Sequence, residues 1–201
     1  MGEEFDEATK KQLYADIYED AMWLINLVEN LLSITRLVEG RLNLNITEDL
    51  IDDVIAEALQ HVNKKNVEHQ ITVESEEEFL LAKMDSRLIV QVVINIVNNA
   101  IEYTPKGSHI KITVKKQDQK VVVSIADDGN GISDEAKAKV FDMFYSGENK
   151  IADSRRNCGI GLSLCKSIIN AHGGEISVSD NKPHGAIFTF TLPAKEARLH
   201  E

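Results

Sequence analysis

Cysteine, proline and aromatic side chains are scarce in this 201-residue sequence, which has 2 Cys, 3 Pro and 1 Trp, with Phe, Trp and Tyr together at 5%. Cys158 and Cys165 lie seven apart with no metal-ligand or CxxC spacing, which points to unpaired thiols in a reducing compartment. No apolar run approaches the roughly 20 residues needed to span a bilayer. The acidic start "MGEEFDEATKK" lacks the basic and apolar segments of a signal peptide, so the chain reads as soluble. Positive charge is also short, with 22 Lys and Arg against 33 Asp and Glu and a formal net charge of -11. That balance argues against a broad nucleic-acid footprint, and any anionic ligand must be held by local groups.

What is present is 43% hydrophobic, enough for one packed domain and an additional element. Residues 8 to 39 contain neither proline nor glycine, and Leu13, Ile17, Leu24, Leu27, Leu31, Ile34 and Val38 recur at steps of three and four apart from one gap at Asp20. This pattern predicts a long helix ending near Gly40, either docked on the chain's own core or completing a helical bundle with another segment or copy. From residue 41 a strand, a Thr47 cap and a helix are expected, then strands in "HQITVESE" and "EFLLAKMD" and a helix from Ser86 to just before Pro105. "HIKITVKK" and "KVVVSIAD" read as a hairpin, and "GEISVSD" and "GAIFTFTLP" as strands joined by the turn "NKPHG". The expected fold is α+β, a two-layer sandwich with helices on one face of a mixed sheet.

Three stretches carry chemistry. In "NIVNNAIEY", asparagine sits among aliphatic residues although it is a poor helix former and costly to bury alone. Gln91, Asn95, Asn99 and Glu102 or Tyr103 fall at helical steps, forming one polar ridge. It is either a solvated face or a site in which neutral amide oxygens bind Mg²⁺ without repelling phosphates. In "ADDGNGI", Gly129 and Gly131 follow a β-like run, and Asp127 could accept an amine hydrogen bond from a flat ligand; a plain turn before a helix at Ser133 is the alternative. In "RNCGIGLSLCKSII", Gly159 and Gly161 open a helix whose N-terminus suits an anion. The polar stretch before it, with Gly147, Arg155 and Arg156, has the composition of a lid.

In this order, "NIVNNAIEYTP", "DDGNGI", "FDMFYSG" and "CGIGLSLCKSIINAHGGEISV" resemble the N box, first glycine box, F box and second glycine box of the ATP-binding domain of sensor histidine kinases, within the superfamily that includes gyrase-type and chaperone ATPases. The resemblance spans about residues 45 to 195. "INLVENLLSITRLVEGRLNLN" is similar to the second helix of the dimerisation and phosphotransfer bundle in that family, and the run around residues 40 to 60 is similar to the potassium-sensing subfamily. The implied division is 1–40 bundle helix, 41–195 catalytic domain and 196–201 tail.

The resemblance implies ATP and Mg²⁺ as cofactors, with Asn99 on the metal and Asn95 ordering metal and phosphates. Tyr103 would lie along the nucleotide, Asp127 would accept the adenine amine, and Gly129, Gly131 and Ile132 would shape the adenine pocket. Phe141 and Phe144 would anchor the lid, Arg155 and Arg156 would supply charge, and Gly159, Gly161 and Leu162 would offer N–H groups to the phosphates. The implied partners are a response regulator and a histidine-bearing bundle of the same or a second copy, in an intact homodimer whose catalytic domain is cytoplasmic and whose parent protein sits in the inner membrane.

Two departures stand out: Glu102 where many relatives carry Lys, and Asn157 where the second glycine box often begins with glycine. One unfavourable charge at such a site costs on the order of 1 kcal/mol. Gyrase-type relatives carry a water-activating glutamate at the position of Asn95, so the site here would await an external nucleophile. His61, His69, His109, His172, His184 and His200 do not match the family's acceptor motif H-E-[LIF]-[RK]-T-P, and are expected on surfaces or loops. The reading is a kinase fragment lacking its acceptor histidine. An ATP-hydrolysing clamp and a non-catalytic scaffold are the alternatives.

Overall fold

The computed structural model describes residues 6–38, 44–62, 69–145 and 159–195. The chain begins with helix α1 (Glu7–Val38), continues through strand β1 (Thr47–Leu50), helix α2 (Ile51–His61), and strands β2 (Gln70–Ser75) and β3 (Leu81–Met84), and reaches helix α3 (Ser86–Tyr103). Strands β4 (His109–Gln117) and β5 (Lys120–Asp127), the short α4 (Asp134–Lys137), helix α5 (Gly161–Ala171), and strands β6 (Ile176–Asp180) and β7 (Ala186–Pro193) complete it.

The main sheet has five strands in the order β2-β4-β5-β7-β6. Only β2 with β4 is parallel; the other pairs are antiparallel, so the sheet is mixed as expected. Alternation does the sorting. Ile110, Ile112, Val114, Val121, Val123, Ile125, Phe188, Phe190 and Leu192 point to the helical layer and are buried. Full burial of one such side chain is worth about 1.5–3 kcal/mol. Helix α3 answers them with Ile89, Val93, Ile96, Val97 and Ala100, and α5 with Leu164, Ile168 and Ile169. The result is the two-layer α+β sandwich.

Some local expectations fail for identifiable reasons. Thr47 does not cap a helix: it opens β1, with its hydroxyl donating to Asp49 Oδ2 at 2.6 Å, and α2 begins at Ile51 with no side-chain cap. β1 and β3 form a separate two-stranded sheet, a pairing between residues more than thirty apart. His172 stands in the turn after α5, within its expected surface-or-loop setting, but it is buried. Its Nδ1 lies 2.7 Å from the Ile168 carbonyl while Nε2 accepts from the Asp85 N–H at 3.0 Å, which fixes it as the neutral Nδ1–H tautomer joining the end of α5 to the start of α3.

Helix α1 docks by its C-terminal part, where Leu31 packs on the core and Asn30 Oδ1 accepts from Gln91 Nε2 at 2.8 Å. Gln91 is thereby withdrawn from the polar ridge and used for helix packing. Leu13, Tyr14, Ile17, Tyr18, Met22, Leu24, Ile25, Val28 and Leu32 remain exposed. The side chains of Leu27, Ile34 and Val38, the stop at Gly40, and residues 196–201 lie outside the described residues. Among the described residues no helix is long and apolar enough to cross a membrane.

Candidate functional site

Helix α3 organises the site because it touches two glycine turns at different levels. Asn95 and Asn99, one turn apart, are both half-buried. A side-chain carbon built on Gly161, the first residue of α5, would lie 3.8 Å from Asn95 Cγ, so the amide sits directly against the start of α5. At the far end of α3, a carbon built on Gly129 would lie 2.7 Å from Thr104 Cγ2, closer than real contacts allow. Only glycine lets the turn come so close. From Asn95 to Thr104 the separation along the axis is about 14 Å at 1.5 Å per residue, with Asn99 between them.

At the Asn95 end, α5 begins without a side-chain cap on Ile160 and without an acidic residue in its first turn. Its first N–H groups have no carbonyl to reach within the helix. Asn95 Nδ2 is itself buried and has only the weak contact with the Cys165 thiol as a partner, beside an electropositive helix start. Cys165, one turn further along α5, is unpaired and fully buried. Burial pushes its thiol up to about 12, with the Asn95 amide pulling weakly the other way.

At the Gly129 end, Asp127 closes β5 and is 7% exposed. Its Oδ1 accepts from Gly129 N at 2.9 Å and from Ala186 N at 3.2 Å. Burial raises its pKa, the two N–H groups oppose that, and the neighbouring Asp128 charge adds to the rise. Both N–H bonds fall on Oδ1. Gly131 lies against Gly185, and Ile132 is half-buried on the edge of the core. Tyr103 is partly exposed at the end of α3, next to the exposed Glu102.

The described residues on either side of 146–158 meet. Phe144 N donates to Gly159 O at 3.1 Å, and Gly159, at φ +63, would drive a side-chain carbon to 2.4 Å from Tyr145 O. Phe141 is anchored below by an edge-to-face contact with Phe188, ring centroids 6.2 Å apart. Phe144 is exposed, and Leu162 packs against the core. Gly147, Arg155, Arg156, Asn157 and Cys158 lie outside the described residues.

Residues 84–196 match the family model described as histidine kinase-, DNA gyrase B-, and HSP90-like ATPase. The chain belongs to this family. This ATPase-family domain is 44% identical over 192 residues to the sensor protein KdpD of Clostridium acetobutylicum, covering 96% of the chain and 21% of the relative. It is 31% identical to the adaptive-response sensory kinase SasA of Gloeothece citriformis, covering 92% and 47% respectively. The catalytic domain of histidine kinase ThkA superposes with a TM-score of 0.64 at 34% identity, covering 74% of this chain and 95% of that one. A structure of ThkA with the response regulator TrrA covers 96% of this chain and 53% of that one, with a TM-score of 0.73 at 30% identity. The chain therefore spans between about a fifth and a half of the curated relatives it matches.

Within this histidine kinase-type domain, sequence reasoning passed over the turn that closes β6 on β7. Asn181 Nδ2 donates to the Asp127 carbonyl at 2.7 Å, and His184 Nδ1 lies 3.2 Å from the Gly129 carbonyl. Gly185, at φ +114, packs so tightly that a side-chain carbon would sit 1.9 Å from Asp127 O. The motif "NKPHG" signals a turn and nothing more. What it touches lies more than fifty residues away in sequence.

Proposed function

We propose that this domain binds Mg²⁺-ATP and transfers the γ-phosphate to a histidine on a helical bundle, as the kinase module of a two-component sensor. The supporting observation is that α3 carries Asn95 against the uncapped start of α5 and carries its own end against the Gly129 turn beside Asp127. In this reading the Asn95 amide helps order the metal and phosphates, and the first N–H groups of α5 meet phosphate oxygens. The neutral Asn99 amide ligates Mg²⁺ without repelling the phosphates. Asp127 Oδ2 accepts the adenine amine, with Gly129, Gly131 and Ile132 around the base and Tyr103 along the nucleotide. Phe141 and Phe144 hold the near end of a lid that brings Arg155 and Arg156 to the phosphates, while Gly159, Gly161 and Leu162 place N–H groups under them.

The metal, when bound, neutralises charge that develops on the transferring phosphoryl group. The chain's own contribution is to position and to exclude a competing reaction. Asn95 cannot accept a proton, so the site has no base there to activate water and presents the phosphoryl group to an outside nucleophile. That nucleophile is the histidine of a bundle domain to which residues 1–40 contribute one helix, with residues 41–195 as the catalytic domain and 196–201 as a tail. A response regulator, a homodimeric parent and a cytoplasmic position beneath the inner membrane complete the proposal.

Two measurements test it together. Calorimetric titration with a non-hydrolysable ATP analogue should show Mg²⁺-dependent binding, and labelled ATP should mark the histidine of an added bundle domain. Binding without labelling would leave a nucleotide-dependent scaffold instead; steady hydrolysis by the chain alone would favour the clamp.

A further inference from the structure

The β6–β7 turn makes more contact with Asp127 than the sheet requires. Cα pairing of β7 with β5 ends at Ala126 and Ile187, and that of β6 with β7 at Asp180 and Ala186. The turn is already closed by its own bond, Asn181 N to Gly185 O at 3.0 Å. Yet two of its side chains reach out of the hairpin to the segment 127–129. Asn181 Nδ2 takes the Asp127 carbonyl and the His184 ring reaches the Gly129 carbonyl, while Ala186 N and Gly129 N hold Oδ1 of the same aspartate.

We propose that this turn sets the base specificity of the nucleotide site, with Asn181 as the positioning residue that fixes the Asp127 main chain and so aims its free carboxylate oxygen. The inference rests on the reading that Asp127 recognises the base. Asp127 is the last residue of its strand, so beyond the Ala126 pair the β7 side no longer offers a strand-paired residue to brace it. Asn181 replaces that missing bond with a side chain, and His184 restrains the residue two further on. Recognition groups need to be held within about 0.5 Å of their productive geometry; Asp127 is paired with Ile110 of β4 on one side, so it is the β7 side whose restraint the turn supplies. The preferred ligand is a purine nucleotide presenting an amine, not a carbonyl, to the carboxylate.

The test uses the full chain with Mg²⁺ and a fluorescent ATP analogue, displaced by ATP or by GTP. Asn181→Ala and Asn181→Leu both remove the donor, the second with little change in side-chain size and without adding a charge. Each should weaken ATP about tenfold, as for one positioned hydrogen bond, leave GTP nearly unchanged, and so collapse the ATP-to-GTP ratio. In an Asp127→Asn background the same substitutions should change ATP affinity less than twofold, because their effect passes through the carboxylate. His184→Ala, at an exposed position, should shift the ratio in the same direction by a smaller factor, and supplies the test if the Asn181 variants do not fold.

Wild type with equal affinity for ATP and GTP overturns the base reading of Asp127 and this proposal together. Wild type that discriminates, with variants that keep its ratio, overturns this proposal alone. An undiminished loss in the Asp127→Asn background also overturns it, since Asn181 would then act through the fold in general.

Discussion

Asp127→Asn separates recognition from stability. Asparagine keeps an oxygen for the two N–H groups at 2.9 and 3.2 Å, but puts an NH₂ where the second carboxylate oxygen stood. An adenine amine would then meet a donor in place of an acceptor. A hydrogen bond to a charged group is worth about 1.5–3 kcal/mol, so ATP affinity should fall about 10- to 150-fold at about 1.4 kcal/mol per tenfold. GTP, whose base offers a carbonyl, should hold or gain.

Stability should move the other way. Burial outweighs the two N–H groups and raises the Asp127 pKa above its ordinary 3.8. Such a carboxyl contributes stability below about 3.8 that is lost as pH rises through its higher folded value. At neutral pH the wild type carries this penalty and the variant does not, so the variant should melt at the same or a higher temperature, and the difference should shrink as pH falls toward 3.8. Displacement titration and thermal unfolding read both effects. ATP affinity within threefold of wild type, or ATP and GTP affinity falling together with the melting temperature, would refute the reasoning.

Asn99→Ala should remove the dependence of ATP-analogue affinity on Mg²⁺ and leave metal-free binding within a few-fold, as read by calorimetry with and without the metal. Gly185→Ala should destabilise by about 2 kcal/mol or more, because φ +114 and a carbon 1.9 Å from Asp127 O cannot both be accommodated; denaturant unfolding measures it, and ATP affinity should fall in the folded fraction. In a Cys158→Ser background, the remaining thiol of Cys165, buried and raised to about 12, should resist alkylation at pH 8 until the protein unfolds, which mass spectrometry across a denaturant series would follow.

What could be read in advance was what local spacing encodes. Ile89, Val93, Ile96, Val97 and Ile101 announce the buried side of α3, and the alternation in "KVVVSIAD" fixes which face of β5 meets the helices. Ser133 starts its helix with its hydroxyl accepting from Ala136 N, as its residue type suggests. Contacts between distant segments were not legible. The parallel pairing of β2 with β4, the small β1–β3 sheet, the diversion of Gln91 to Asn30 and the burial of His172 each depend on a partner far along the chain. The same holds at the site: Asp127 was identifiable by its place before a glycine turn, while Asn181 looked like any turn residue.

Helix α1 runs 32 residues but is pinned to the domain near its C-terminal end, at Asn30 and Leu31. From Leu31 back to Glu7 is about 36 Å at 1.5 Å per residue. Such a rod rests its foot against α5 as well as on Gln91 of α3, and each 10° of pivot there would sweep the far tip through about 6 Å on the same geometry. Read in the opposite sense, a displacement of several ångströms imposed on the tip would reach α5 and Gln91 as a small rotation, one helical turn from Asn95.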